Sequence, residues 1–299
     1  MKASDSLLLI ILTAIWGSSF VFMRASVDAF GPIALIAIRI SIAALFLLPF
    51  LINKRRLHEF ITNWRILLIT GLLNSAFPFS LLAYASLSLS GGTVSILNAM
   101  TPVFTALIAH FWLNSTLNKL QSLGLLISIT GLIFLMWDKV TWTIDSWLPA
   151  LAGVMATLFY GIATNFAKKH LQDISPMTSS AGSLLFSALF LLVVLQFYLP
   201  NFQIITSTEW IYAILLGVLC TAVAFIIYFK LVQNIGPSKT ASVTFLIPIF
   251  AFIWGYFLLN EIVTPRMWIA TAIILFGMSL VTGIISTELF KSRRNKSMR

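Results

Sequence analysis

Pro102-Val-Phe-Thr-Ala-Leu-Ile-Ala-His-Phe-Trp-Leu-Asn-Ser115 and Pro248-Ile-Phe-Ala-Phe-Ile-Trp-Gly-Tyr-Phe-Leu-Leu-Asn-Glu261 are two related copies of one segment. The copies lie 146 residues apart and share a proline, two phenylalanines, a leucine and an asparagine in the same order. Further matches at spacings of 144 or 146 residues are Gly17/Gly161, Pro32/Pro176, Trp64/Trp210, Gly71/Gly217 and Gly131/Gly277. Because chance similarity between apolar segments does not match prolines and glycines in order, the sequence predicts an internal duplication.

The composition excludes a water-soluble protein. Of 299 residues, 59% are hydrophobic and 9% are charged, whereas a soluble domain has about 25% charged residues. The chain also has one cysteine, Cys220, so it has no intrachain disulfide framework.

Ten apolar segments are long enough for membrane helices, which need about 20 residues each. Their approximate ranges are 6–24, 32–52, 65–86, 93–113, 120–138, 147–168, 177–199, 209–230, 240–259 and 266–286. Strands are the weaker interpretation, since the segments lack alternation and are too long for barrel strands. We therefore predict an all-α, polytopic membrane protein with ten transmembrane helices.

The duplication divides these helices into two repeats, residues 1–140 and 141–288, followed by a basic tail over residues 289–299. Five helices per repeat is an odd number, so the second repeat enters the membrane from the opposite side. Inverted repeats of this kind are typical of secondary transporters. The first segment has a counterpart in the second half, which indicates a retained helix rather than a signal peptide.

The basic residues predict the orientation. With both termini on one side, fifteen of the nineteen cations fall on that side: Lys2, Lys54, Arg55, Arg56, Arg65, Lys119, Lys168, Lys169, Lys230, Lys239, Lys291, Arg293, Arg294, Lys296 and Arg299. The opposite side receives Arg24, Lys139 and Arg266. The positive-inside rule places both termini in the cytoplasm. The net charge of +10 is then a topology signal that anionic headgroups balance, and it does not require nucleic acid.

Three prolines free backbone carbonyls inside predicted helices. The freed groups belong to Asn74, Asn98 and Thr244, whose side chains are also polar. Such groups are tolerated in a membrane only against protein or a watery cavity, so we predict that these three residues contact substrate. The alternative is ordinary hydrogen bonding between helices.

Few ionisable groups lie inside the predicted helices. Arg39 is expected to face protein or water and is a candidate for binding a substrate carboxylate; the alternatives are bonding to backbone carbonyls or reaching the outer interface. His110, near a helix end, is a candidate for proton coupling or an interfacial hydrogen bonder. Glu261 is a candidate for coupling or gating, or a structural residue at a helix end.

Deep aromatic residues complete the predicted site. Trp16, Tyr160 and Trp254 lie far from segment ends, where they would shape or gate a cavity; helix packing is the alternative. The chain contains no Walker A, HExxH or GxSxG motif. The missing motifs argue against an ATP-driven pump and against the enzyme classes that these motifs mark. We expect no catalytic residue, metal or cofactor.

The pattern resembles the drug/metabolite transporter superfamily, in particular its ten-helix members with two EamA domains. The resemblance spans nearly the whole chain and rests on Ala14-Ile-Trp-Gly-Ser-Ser-Phe20, Arg39, Thr101-Pro-Val-Phe-Thr105, Leu246-Ile-Pro-Ile-Phe250, Leu259-Asn-Glu261 and Gly277. It implies a bacterial inner-membrane transporter with a central cavity and alternating access. The sequence departs from the family pattern at Asn114-Ser115, where the first repeat often has a glutamate.

The resemblance also implies export of amino acids, related metabolites or small drugs, so we expect a secondary transporter of small metabolites that exports amino acids or related compounds. Its partners are a small-molecule substrate and the lipid bilayer, and no sequence feature indicates an oligomeric state. A multidrug efflux permease is the alternative within the class. A membrane enzyme and a non-transporting membrane protein are the alternatives outside it.

Overall fold

The computed structural model describes residues 3–137, 144–236, 240 and 242–283, and these ranges are helical with short connections and no strand. The main helices are α1 (Ala3–Phe30), α2 (Pro32–Leu47), α3 (Trp64–Ala85), α4 (Gly91–Trp112), α5 (Lys119–Met136), α6 (Ile144–His170), α7 (Pro176–Leu195), α8 (Ser207–Ile235), α9 (Val243–Leu259) and α10 (Pro265–Val281). A short surface helix, Lys54–Thr62, joins α2 to α3. The predicted tail over 289–299 and the end of the second repeat lie outside the described residues.

Each of the ten predicted segments coincides with one of these helices. In the described ranges eight helices are long and apolar enough to cross a membrane, and α9 and α10 are shorter apolar helices. The prediction of an all-α, polytopic membrane protein is therefore confirmed. The boundary between the repeats and their inverted orientation stay predictions.

Local sequence signals begin and end the helices. Ser175 and Thr264 accept hydrogen bonds from the backbone N–H groups of residues three positions later, and Thr206 forms a capping box with Glu209, which satisfies N–H groups that have no partner within the helix. Gly31 has a φ of 71°, a left-handed conformation that glycine adopts without steric cost, and it separates α1 from α2.

Three helices contain irregular turns. In α4 a break over residues 99–100 precedes Pro102 and separates Gly91–Asn98 from Thr101–Trp112. In α3 and α8 the backbone widens into π-helical turns, at Leu72–Ala76 and Val218–Val223. The two π turns begin 146 residues apart, the same spacing as the repeated segment.

Close helix contacts also recur in the two repeats, at spacings of 144 and 146 residues. α1 packs against α9, and α6 packs against α4. A Cβ atom at Gly17 would lie 2.6 Å from the Cβ of Phe250, and one at Gly161 would lie 3.0 Å from the backbone of Phe104. A side chain at either position would force the neighbouring helix to shift, so the two glycines allow this close approach.

Apolar side chains cover the outside of the bundle. Phe111 and Phe257, at equivalent positions of the repeated segment, are 75% and 70% exposed. Serine and threonine side chains such as Ser95, Ser128 and Thr157 are fully buried. This distribution, apolar outside and small polar residues inside, suits a protein surrounded by lipid.

Candidate functional site

A cavity of about 490 Å³ lies between the two halves of the chain. Its walls come from α1, α2, α3, α4, α6, α7, α8 and α9. Six of the seven residues predicted to bind substrate or to shape the cavity line it: Trp16, Arg39, Asn74, Asn98, Tyr160 and Thr244. The structure thus brings together residues that are up to 228 positions apart in the sequence.

Arg39 is held against two partners in the cavity wall. Its side chain is buried; its Nε donates to the Thr221 hydroxyl at 3.0 Å, and its guanidinium carbon lies 4.0 Å from the centre of the Phe79 ring. A cation over an aromatic face is attracted by the ring's negative face. These contacts fix the guanidinium plane, and they show a geometry different from both the backbone-bonded and the interfacial alternatives.

Thr221 is fixed in turn by the π turn of α8. Its hydroxyl donates to the carbonyl of Leu216 at 2.8 Å, so its remaining lone pair accepts from Arg39. Gly217 brings α8 close to α2, since a Cβ there would lie 2.9 Å from the Arg39 carbonyl oxygen. The π turn therefore positions an acceptor against the cavity's arginine.

The proline-linked residues are placed as follows. Asn98, Asn74 and Thr244 all line the cavity, and Asn74 lies within the first π turn. The carbonyl of Asn98 accepts from the Thr101 hydroxyl at 2.8 Å. Because that carbonyl has an internal partner, the amide side chain is the part of Asn98 we expect to meet a ligand.

Aromatic residues form one side of the cavity. The rings of Trp16 and Tyr228 lie 5.7 Å apart, and Tyr160 meets Phe79 edge-to-face at 6.2 Å. The structure does not place Trp254 among the lining residues: its indole N–H donates to the Ala14 carbonyl at 3.0 Å. Trp254 joins α9 to α1, which matches the helix-packing alternative rather than the predicted cavity role.

His110 and Glu261 also lie away from the cavity lining. His110 Nδ1 lies 2.9 Å from the Ser115 carbonyl in an exposed hydrogen bond. The Glu261 carboxylate accepts from the backbone N–H groups of Gly91 and Gly92, at 2.8 and 3.3 Å. Glu261 therefore joins the end of α9 to the start of α4, a structural position at the predicted external face.

Sequence reasoning missed several lining residues, including Phe79, Cys220 and Thr221. The repeat spacing could have identified Cys220 and Thr221, because they lie 146 residues after Asn74 and Ser75. The second half has Ala224 where the first has Pro78, so no proline marked this π turn.

The cavity's charge is unbalanced. Arg39 is the one lysine, arginine, aspartate or glutamate among the lining residues that the structure describes. In the same ranges the ion pairs are Arg24–Asp28 and Arg55–Glu59, both elsewhere. No group of three metal-ligating side chains occurs in the described part of the chain. The arrangement suits binding of an anionic or polar organic molecule.

The comparison with known families decides the class. A model of the EamA-like transporter family matches residues 4–137 and again residues 147–283. The chain belongs to the EamA-like transporter family. The resemblance seen in the sequence is thereby confirmed.

Two relatives that match nearly the whole chain are named as a transporter and an exporter. The chain is 28% identical to an uncharacterized transporter, YoaV, of Bacillus subtilis (strain 168), over 92% of this chain and 95% of that one. It is 22% identical to a probable terminal-alkyne amino-acid exporter of Streptantibioticus cattleyicolor, over 94% of each. A solved crystal structure has the same fold, with a TM-score of 0.68, 16% identity, and coverage of 97% and 99% of the two chains.

Proposed function

We propose that this EamA-family protein is a secondary transporter that exports amino acids or related carboxylates across a bacterial inner membrane. The observation on which the proposal rests is Arg39, a buried cation in the wall of the cavity with no carboxylate partner among the described residues. A buried charge is costly unless it is paired. A substrate carboxylate would supply the missing partner and gain charge-assisted hydrogen bonds.

The difference between the two ends of the cavity agrees with a mechanism of alternating access. The lining reaches Leu171 and Thr240, at the α6–α7 and α8–α9 connections, which we predict to be cytoplasmic. At the opposite end Glu261 holds the start of α4. In this conformation a cytoplasmic solute would enter the cavity, and release would require the Glu261 end to open.

The name of one relative supports the amino-acid assignment. The Streptantibioticus protein is described as a probable amino-acid exporter, and we transfer that substrate class to this chain as part of the proposal. Multidrug efflux is the second candidate, favoured by the aromatic lining around Trp16 and Tyr228.

Counterflow in proteoliposomes tests the proposal. Liposomes preloaded with one unlabelled compound are assayed for uptake of the labelled compound, over a panel of amino acids, N-acylated amino acids, nucleosides and cationic dyes. We expect saturable exchange of carboxylates, weakened by Asn98→Ala and Thr244→Ala but unchanged in His110→Gln, a variant outside the cavity. Exchange of dyes alone would favour multidrug efflux, and saturable exchange of none would overturn the transport proposal.

A further inference from the structure

We propose that the cavity takes its substrate as a net monoanion, such as an amino acid whose amine is acylated, in preference to the zwitterion. This inference rests on the proposed function and names the charge of its substrate. The formal charge of the described lining residues is that of Arg39 alone. A monoanion would make the loaded cavity neutral, whereas a zwitterion would leave it with one uncompensated positive charge.

The lining offers an ammonium group no charged partner. Aspartate and glutamate are absent from the described lining, whose polar side-chain groups are hydroxyls, amides, a thiol and the indole N–H of Trp16 besides the guanidinium of Arg39. An ammonium group stripped of water therefore finds only neutral acceptors in the same cavity as a guanidinium. Burial of such a charge without an ionic partner is unfavourable.

Aromatic rings are the remaining means of holding an ammonium group, because a ring face attracts cations. The face of Phe79 next to the charge is already occupied by Arg39 at 4.0 Å. Trp16 and Tyr228 pack against each other at 5.7 Å, and Tyr160 points its ring towards Phe79. The aromatic side of the cavity suits an apolar group better than a second cation.

The free hydrogen-bond donors of the Arg39 side chain suit a carboxylate. In the described structure its side-chain hydrogen bond uses Nε, which leaves its two terminal amino groups without a protein acceptor. Two such groups can bind both oxygens of one carboxylate. Asn98 lines the same cavity and offers an amide to the uncharged remainder of the substrate.

Three ligands with one side chain test the inference in wild-type proteoliposomes. Leucine is a zwitterion at pH 7, N-acetylleucine is a monoanion and N-acetylleucine amide is neutral; each is measured by counterflow. We expect N-acetylleucine to half-saturate exchange at a concentration about tenfold or more below leucine, because the ammonium group of leucine is buried without an ionic partner and an unsatisfied charged group costs at least as much free energy as a tenfold loss of affinity. Leucine exchanging as well as or better than N-acetylleucine would overturn the inference and leave the proposed transport of amino acids intact.

An isosteric variant provides the converse measurement. Asn98→Asp adds a carboxylate to the cavity with little change in shape, so we expect it to lower the ratio of N-acetylleucine to leucine exchange. An unchanged ratio in a variant of normal abundance would count against the inference. Absence of saturable exchange for the whole panel of carboxylates in the wild type would instead remove the proposed function as well.

Discussion

Thr221→Val isolates the contact that orients Arg39. Valine keeps the shape of threonine and removes the oxygen that accepts from Nε at 3.0 Å. Hydrogen bonds to charged groups contribute about 1.5–3 kcal/mol, and each 1.4 kcal/mol is about a factor of ten in affinity. The terminal amino groups of Arg39 remain, so we expect the lower end: about a tenfold rise in the half-saturating concentration of a carboxylate substrate.

Counterflow rates over a range of substrate concentrations measure this change at matched abundance of protein. The matched control is Ser75→Ala, at the equivalent position of the other π turn, where the buried hydroxyl has no hydrogen-bond partner among the residues that the structure describes. We expect Ser75→Ala to leave the half-saturating concentration unchanged, and Thr221→Ser to restore most of the loss. The reasoning is refuted if Thr221→Val stays within twofold of wild type, or if Ser75→Ala weakens transport equally.

Two acidic residues outside the cavity give further predictions. Hydrogen bonds from Ser175 lower the pKa of Glu59 to about 2, so this carboxylate stabilises the fold above its ordinary pKa of 4.5 and loses that effect as the pH falls towards 2. Glu59→Gln should be less stable than wild type by about 1 kcal/mol at pH 7, and the difference in unfolding free energy should shrink below pH 4.5; a constant difference would contradict the assignment. Glu261→Gln should lower the unfolding midpoint, because the carboxylate binds two backbone N–H groups at the start of α4. It should keep the wild-type pH profile of transport, and a loss of that profile would restore Glu261 as a coupling residue.

Hydropathy predicted the number of helices because a segment that crosses the lipid must be apolar and must form the hydrogen bonds of its backbone within itself. It placed the ends less well. The first segment was expected to end at residue 24, but α1 continues to Phe30. Arg24 and Asp28 form a salt bridge at 2.7 Å on one face of the helix, so charges that lower the hydropathy also stabilise the extra turns.

The presence of Arg39 in the site could be predicted from the chemistry of its side chain. A lone arginine within an apolar helix must find a polar environment, and Arg39 does so in the cavity wall. The partners of Arg39 were not predictable in this way, because Phe79 and Thr221 meet it only through packing of α2 against α3 and α8. Trp254 was expected in the cavity wall and lies outside the lining, because the depth of a residue along a helix does not indicate which side of the helix faces the cavity.

The direct test of the account is the response of a charged and a neutral ligand to Arg39→Gln. Counterflow of N-acetylleucine and of N-acetylleucine amide is compared in wild type and variant. If Arg39 binds the substrate carboxylate in the cavity, the half-saturating concentration of N-acetylleucine rises about tenfold or more in the variant. The half-saturating concentration of N-acetylleucine amide stays within about twofold of the wild-type value. Equal losses for both ligands, or no loss for the carboxylate, would contradict the account.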